Sequence, residues 1–263
     1  EERAVASRAP MAGPCCSPSL GARGNPCDVC GAVPNERRTA FVIVGQRATA
    51  SEDFLLDDVP GTSGRLDVLL RCLRAALLCS HGLRRDVVVY LVLLGGQEGA
   101  PRDDELAPRT MRVDGASVRF LRPDERALAV LTRKVLATRG ESRVDFTEIK
   151  PGVALVHDGF DAVLRDHARQ ERDGRTSKVY VLDEGAPDIR DVMKLTSEDD
   201  SMLFVIGDHL GVPADVLAKL DAIGATRVSI GPISLHADDA VAVVHNEVDR
   251  LRAQTSLPPR LMS

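Results

Sequence analysis

The chain has 263 residues, a formal net charge of −5 and 44% hydrophobic residues, enough for one large domain or two small ones with a full core. Aromatics make up only 3% and Trp is absent, so the core must rest on Leu, Val, Ile and Ala, and single-strand binding on aromatic platforms is disfavoured. Without a basic surplus, any RNA site must be a local basic patch on an acidic body, and no apolar run of about 18 residues points to a membrane span.

Residues 1–38 are rich in Pro, Gly, Ser, Arg and Cys and read as a flexible extension. They lack the apolar stretch of a signal peptide. Glu at position 1 suggests a fragment or a trimmed product, with Met11 a candidate internal start. Cys27-Asp28-Val29-Cys30 has zinc-ligand spacing, but a second such pair is missing, and the adjacent Cys15 and Cys16 suit one tetrahedral ion poorly. A structural zinc and free thiols in a reducing cytosol both stay open.

Order is expected from Thr39. Ala40–Val44 is a continuous apolar run ending at Gly45, which predicts a buried strand. Residues 46–61 read as a polar loop with Asp57, Asp58 and Pro60-Gly61. Leu66, Leu69, Leu70, Leu73, Leu77 and Leu78 follow helical spacing, so a helix is predicted from about Ser63 to Ser80, with Cys72 and Cys79 as core residues. Val87–Leu94 reads as a second strand, and 95–109 as a loop in which Gly95-Gly96-Gln97-Glu98-Gly99 lacks the Lys-Ser/Thr of a phosphate loop. Asp114-Gly115 predicts a hairpin turn between 111–113 and 117–120. Arg122-Pro123-Asp124-Glu125 opens a helix running to about Ala137.

Further on, strands are predicted at 153–156, 178–182, 202–206 and 227–230, and helices at about 160–168, 213–222 and 236–252. The alternation predicts an α/β protein with a mainly parallel sheet and helices on both faces. Three strands end in Leu182-Asp183-Glu184-Gly185, Ile206-Gly207-Asp208-His209 and Ile230-Gly231-Pro232. In a parallel sheet such ends share one edge and converge on a crevice, with Gly207 and Gly231 letting backbone approach a ligand. No GxGxxG and no GKS or GKT loop is present, so dinucleotide and phosphate-loop readings fail. His236 reads as structural, His245 as a dimer-interface residue and His209 as a rim residue, and no metal cluster is expected.

The ordered set Phe41–Gly45, Asp57-Asp58-Val59-Pro60-Gly61, Gly64-Arg65-Leu66-Asp67-Val68-Leu69, Arg122-Pro123-Asp124-Glu125-Arg126, Ser229-Ile230-Gly231-Pro232, Leu235-His236-Ala237-Asp238 and His245-Asn246-Glu247 with Asp249 resembles one family. It is similar to the archaeal tRNA pseudouridine-54 N1-methyltransferases, within the knotted SPOUT methyltransferases that bind S-adenosylmethionine. The resemblance covers about 39–253. It implies a C-terminal deep trefoil knot within about 178–253, one of the rare exceptions to unknotted chains, with 254–263 a tail. It implies a cofactor site of Leu182, Gly207, Ile230, Gly231, Pro232, Ile233, Ser234, Leu235 and Ala240, the last standing where relatives often carry Cys. It also implies a cytoplasmic homodimer with its terminal helix across the interface, and a tRNA substrate.

Methyl transfer from a sulfonium needs the nucleophile aligned and water excluded. For pseudouridine N1, an acceptor for its proton or donors to its anion would help. By resemblance these are Asp67 and Arg65; read alone, the two are a capping carboxylate and a solvated cation. Arg119, Arg122 and Arg126 form the most basic cluster near a helix entry, and Arg71 with Arg74 could extend it toward RNA phosphates. Methylation of a ribosomal-RNA pseudouridine and a catalytically inactive RNA-binding module remain as alternatives.

Overall fold

The computed structural model describes residues 38–95, 107–172, 177–194, 196, 200–254 and 261–262. The extension with Cys15, Cys16, Cys27 and Cys30, the glycine-rich stretch 96–99 and most of the C-terminal tail lie outside the described residues. Arg37–Ser263 forms a single compact unit.

The apolar runs build an eight-stranded sheet. In chain order the elements are β1 (Thr39–Gly45), α1 (Val59–Thr62), α2 (Leu66–Leu77), β2 (Leu78–Cys79), β3 (Gly82–Arg84), β4 (Val87–Leu93), β5 (Arg109–Asp114), α3 (Glu125–Leu136), β6 (Thr147–Lys150), β7 (Val153–Val156), α4 (Phe160–Arg172), β8 (Ser177–Leu182), α5 (Ile189–Met193), β9 (Ser201–Gly207), α6 (Ala214–Ala222), β10 (Thr226–Val228), α7 (Ala237–Gln254) and β11 (Leu261–Met262). The sheet order is β10-β8-β9-β1-β4-β5-β7-β6. Pairing is parallel from β10 to β4 and antiparallel from β4 to β6. The sheet is therefore mixed and mostly parallel. Alternate residues of β1 serve opposite faces: Phe41 and Ile43 belong to a core cluster with residues of α2, α3, α5 and α7, whereas Val42 and Val44 belong to one with residues of α4 and α6. Helices on both faces explain why the parallel strands read as unbroken apolar runs.

The expected helix 63–80 is shorter. Gly64 and Arg65 both take positive φ, 62° and 69°, and break it from α1. At the other end Leu78 is extended, and β2 and β3 make a small antiparallel pair, so Cys79 is a half-buried strand residue while Cys72 stays in the core. The hairpin expected around Asp114-Gly115 does not form. Asp114 does make a turn, accepting from the N–H groups of Ser117 and Val118, but the residues beyond it are not a strand. The antiparallel partners of β5 come instead from β4 and the distant β7, a long-range choice that local turn chemistry cannot reveal. The loop 46–61 contains α1, capped by the Asp58 carboxylate accepting from Gly61 N–H.

His245 is a core residue of its own chain rather than an interface residue. It packs against Phe41 with the rings tilted and their centroids 4.6 Å apart, and its Nε2 lies 2.9 Å from the Ala76 carbonyl. A carbonyl only accepts, so Nε2 carries the proton. Arg109, read from sequence as loop, is fully buried. Its guanidinium donates to the carbonyls of Ala50, Leu136 and Thr138 and pairs with Glu141 at 2.8 Å. No helix of the described residues is long and apolar enough to cross a membrane.

Candidate functional site

After β1 the chain builds outward to β4, and after α4 it returns to the other side through β8, so the order reverses between β1 and β9. Open α/β sheets bind ligands at the carboxyl edge of such a reversal. Here that edge holds a cleft of about 650 Å³. Its walls are the ends of β8 (Leu182, Asp183, Glu184), β9 (Ile206, Gly207, Asp208) and β10 (Val228 to Gly231), the loop 233–236, the start of α7 (Ala237, Asp238, Ala240) and the first turns of α2 (Arg65, Val68, Arg71). Of the residues expected at a cofactor site, all line this cleft except Pro232, which is exposed in the same loop. His209 and His236 stand at its wall.

The two glycines play different parts. A Cβ on Gly207 would lie 2.1 Å from the backbone of Gly211, so this glycine is required by the 208–211 turn and not by a ligand. Gly231 has φ +147° and open space where a Cβ would be, so its place is set by backbone conformation alone. Beyond it the backbone N–H groups of Ile233, Ser234, Leu235 and His236 meet no protein acceptor among the described residues. The apolar walls Leu182, Ile206, Val228 and Ile230, with these free amides, fit a nucleoside: hydrophobic faces for a base and hydrogen-bond donors for its edge. The carboxylates of Asp183, Glu184 and Asp238 on the same walls suit ribose hydroxyls and a cationic centre, while Asp208 is spent on the backbone N–H groups of Gln46 and Leu210.

At the α2 side Arg65 turns back on its own chain. Its Nε and Nη2 donate to Oδ1 and Oδ2 of Asp67 at 3.0 and 3.2 Å. Arg71 Nη1 donates to Oδ2 from one turn further along, at 2.9 Å. Asp67 is 1% exposed. Burial opposes its ionisation, but the hydrogen bonds and charges of Arg65 and Arg71 outweigh it and hold the carboxyl below the usual range. The Asp67 bonds in turn push the Arg65 guanidinium upward. The left-handed backbone at Arg65 is an uncommon conformation for a side-chain-bearing residue, and it sets the guanidinium at the cleft wall.

Arg71 also lies 3.6 Å from Glu125 at the start of α3 and 3.9 Å from Asp238. The fold therefore sets Arg71 in the cleft wall, bridging to the helix that carries the other basic residues. Arg119, Arg122 and Arg126 gather in a neighbouring groove of about 760 Å³ along α3, together with Lys134 and Lys150. Arg126 reaches Asp57 at 2.5 Å, joining two segments far apart in sequence. Arg74 is an exposed residue of α2 that lines neither hollow. The sequence did not single out Lys134 or Lys150; the helical step from Arg126 to Lys134 was available, whereas Lys150 sits in β6, a strand with no apolar signature.

A family profile described as "Putative SAM-dependent RNA methyltransferase" matches residues 38–253. A tRNA (pseudouridine(54)-N(1))-methyltransferase of Methanococcoides burtonii is 37% identical over 211 residues, covering 80% of this chain and 95% of the relative. One from Methanosarcina acetivorans is 38% identical over 215 residues, covering 81% and 92%. The chain belongs to this family of SAM-dependent RNA methyltransferases. Among solved structures, Archaeoglobus fulgidus Nep1 bound to S-adenosylhomocysteine is similar in fold, with a TM-score of 0.53 at 18% identity, covering 82% of this chain and 99% of that one. No group of three or more side chains that could hold a metal ion is found among the described residues.

Proposed function

We propose that the chain methylates N1 of pseudouridine at position 54 in the T-loop of tRNA, with S-adenosylmethionine held in the cleft between β8, β9, β10 and α7. The observation that carries the chemistry is the Arg65 guanidinium on the wall of a nucleoside-sized cleft, held from behind by the buried Asp67 carboxylate. The bound cofactor supplies an electrophilic methyl group on a sulfonium. Leu182, Ile206, Ile230 and Ala240 exclude water from it, while the amides of 233–236 read the base. Gly207, Gly231, Ile233, Ser234 and Leu235 complete the walls. Pro232 stiffens the loop.

Arg65 is the residue assigned to the nucleophile. As N1 releases its proton to bulk water, negative charge spreads over the pyrimidine ring, and a fixed guanidinium at the cleft wall stabilises it. Asp67 is a positioning residue. A carboxylate held below its ordinary range by two arginines is a poor proton acceptor, but it locks Arg65 in one orientation. Arg119, Arg122 and Arg126 hold RNA phosphates in the adjoining groove, and Arg71 ties that groove to the cleft through Glu125.

Two further features belong to the same reading. Ser229 donates to Pro187 O and accepts from Ile189 N–H, both at 2.8 Å, so the segment leading into α7 passes against the segment between β8 and β9. That crossing supports a trefoil knot. A homodimer with α7 at its interface completes the RNA site. On this reading the enzyme works in the cytoplasm.

The test is incubation with labelled S-adenosylmethionine and two tRNA transcripts, one with pseudouridine and one with uridine at the T-loop position. Methylation of the pseudouridine transcript alone is expected. Methylation of neither, with cofactor still bound, would point to a ribosomal-RNA substrate or to an inactive binding module.

A further inference from the structure

The chain has eight aromatic residues, six Phe and two Tyr, and all of them are described. Phe41, Phe54, Phe160, Phe204, Tyr90 and Tyr180 are buried. Phe146 is half-buried under the Arg112 guanidinium, 4.8 Å from its ring centroid. Phe120 is 97% exposed. It stands in the wall of the groove along α3, with its backbone at φ 58°, a left-handed conformation that a bulky residue seldom adopts. Nothing in the core rewards either the exposure or the conformation.

Its surroundings are cationic. Arg119, Arg122, Lys134 and Lys150 line the same groove, and none of them has a carboxylate partner among the described residues. Arg126 is tied to Asp57, and Asp124 caps α3 by accepting from Ala127 N–H, so neither acid neutralises the other four. An exposed ring among unpaired cations matches single-stranded nucleic acid: cations take the phosphates and the ring takes the face of a base. It does not match an acidic peptide, which would leave the ring without a partner.

We propose that Phe120 is a base-stacking residue for an unpaired nucleotide of the substrate loop, next to the nucleotide that enters the cleft, and that Lys134 and Lys150 continue the phosphate track beyond Arg119 and Arg122. The proposal deepens the RNA reading above and rests on it. It runs against the expectation that scarce aromatics disfavour stacking, since a single ring, fully presented, is enough for one base.

The absence of Trp supplies the test. Phe120→Trp makes a single-tryptophan protein at an exposed position where packing is undisturbed. Adding a T-loop stem-loop RNA is expected to quench its emission through stacking. In parallel, Phe120→Leu keeps the apolar bulk and removes the ring. It is expected to raise KM for tRNA about tenfold, with kcat and S-adenosylhomocysteine affinity unchanged. Phe120→Tyr should restore the wild-type KM. Unchanged tryptophan emission while the RNA is bound would overturn the proposal. So would a blue-shifted emission that depends on protein concentration without RNA, because a second copy would then cover the ring. Failure of the unsubstituted chain to methylate tRNA would fall on the proposed substrate instead, and quenching by the stem-loop would still report on the groove.

Discussion

Arg65 and Asp67 lie two residues apart and face each other through two hydrogen bonds, Nε to Oδ1 at 3.0 Å and Nη2 to Oδ2 at 3.2 Å. The geometry is available only because Arg65 is left-handed at the entry of α2. A regular helix would send side chains at this spacing to different faces. Asp67→Asn keeps the shape but forfeits one acceptor and the charge that orients Arg65. We expect kcat to fall about 10²- to 10³-fold, with S-adenosylhomocysteine affinity by calorimetry unchanged. Retained transfer would show that Asp67 does not position Arg65.

His245 makes stability depend on pH. Burial, with the charge of nearby Arg84, depresses its pKa to about 3, while the Asp249 carboxylate and the Ala76 carbonyl oppose this and Arg252 adds to it. The unfolded chain takes up the proton below the ordinary value of 6.5 and the folded chain does not. This contribution is therefore complete above that value and is lost as pH falls toward about 3. Each pH unit costs about 1.4 kcal/mol, so about 2 kcal/mol is lost by pH 5. Urea midpoints should fall over that range, and His245→Gln should flatten the slope.

Among the described residues Arg109 is the largest fully buried side chain, and burial pulls its pKa down against the support of Glu141. Arg109→Ala leaves Glu141 without its guanidinium in the interior and strands the Ala50 carbonyl, while the carbonyls of Leu136 and Thr138 keep Arg139 as a donor. Unfolding free energy should drop by about 3–5 kcal/mol. Arg109→Met combined with Glu141→Leu should recover most of it, because the pair then leaves no orphan charge. If the double variant is no better than Arg109→Ala, the loss lies in the carbonyl bonds.

Salt should weaken tRNA binding steeply, despite the acidic overall charge. Arg119→Ala and Arg122→Ala should each reduce affinity across RNA sequences alike. Each should also lower the slope of log K against log salt by about 1. Binding that ignores salt between about 50 and 200 mM would count against a phosphate role for this groove.

The apolar runs at 40–44, 87–93 and 202–206 determine buried parallel strands on their own, because only a strand covered on both faces uses such a sequence. Three glycine-bearing strand ends likewise announce a crevice. The ordered motifs determine the family, since no single one of them is specific. What the sequence could not decide were matters of long-range pairing and of neighbours. Arg109 reads as a loop cation until Glu141 and three carbonyls close around it. Gly207 looks like a ligand-facing glycine until Gly211 folds back on it. Phe120 sits in a segment that reads as half of a hairpin, yet β5 takes its partners from β4 and β7 and leaves the ring in solvent among cations. Periodicity records which face of an element is apolar; only the tertiary structure decides which distant residues complete a buried charge, a tight turn or an RNA-facing groove.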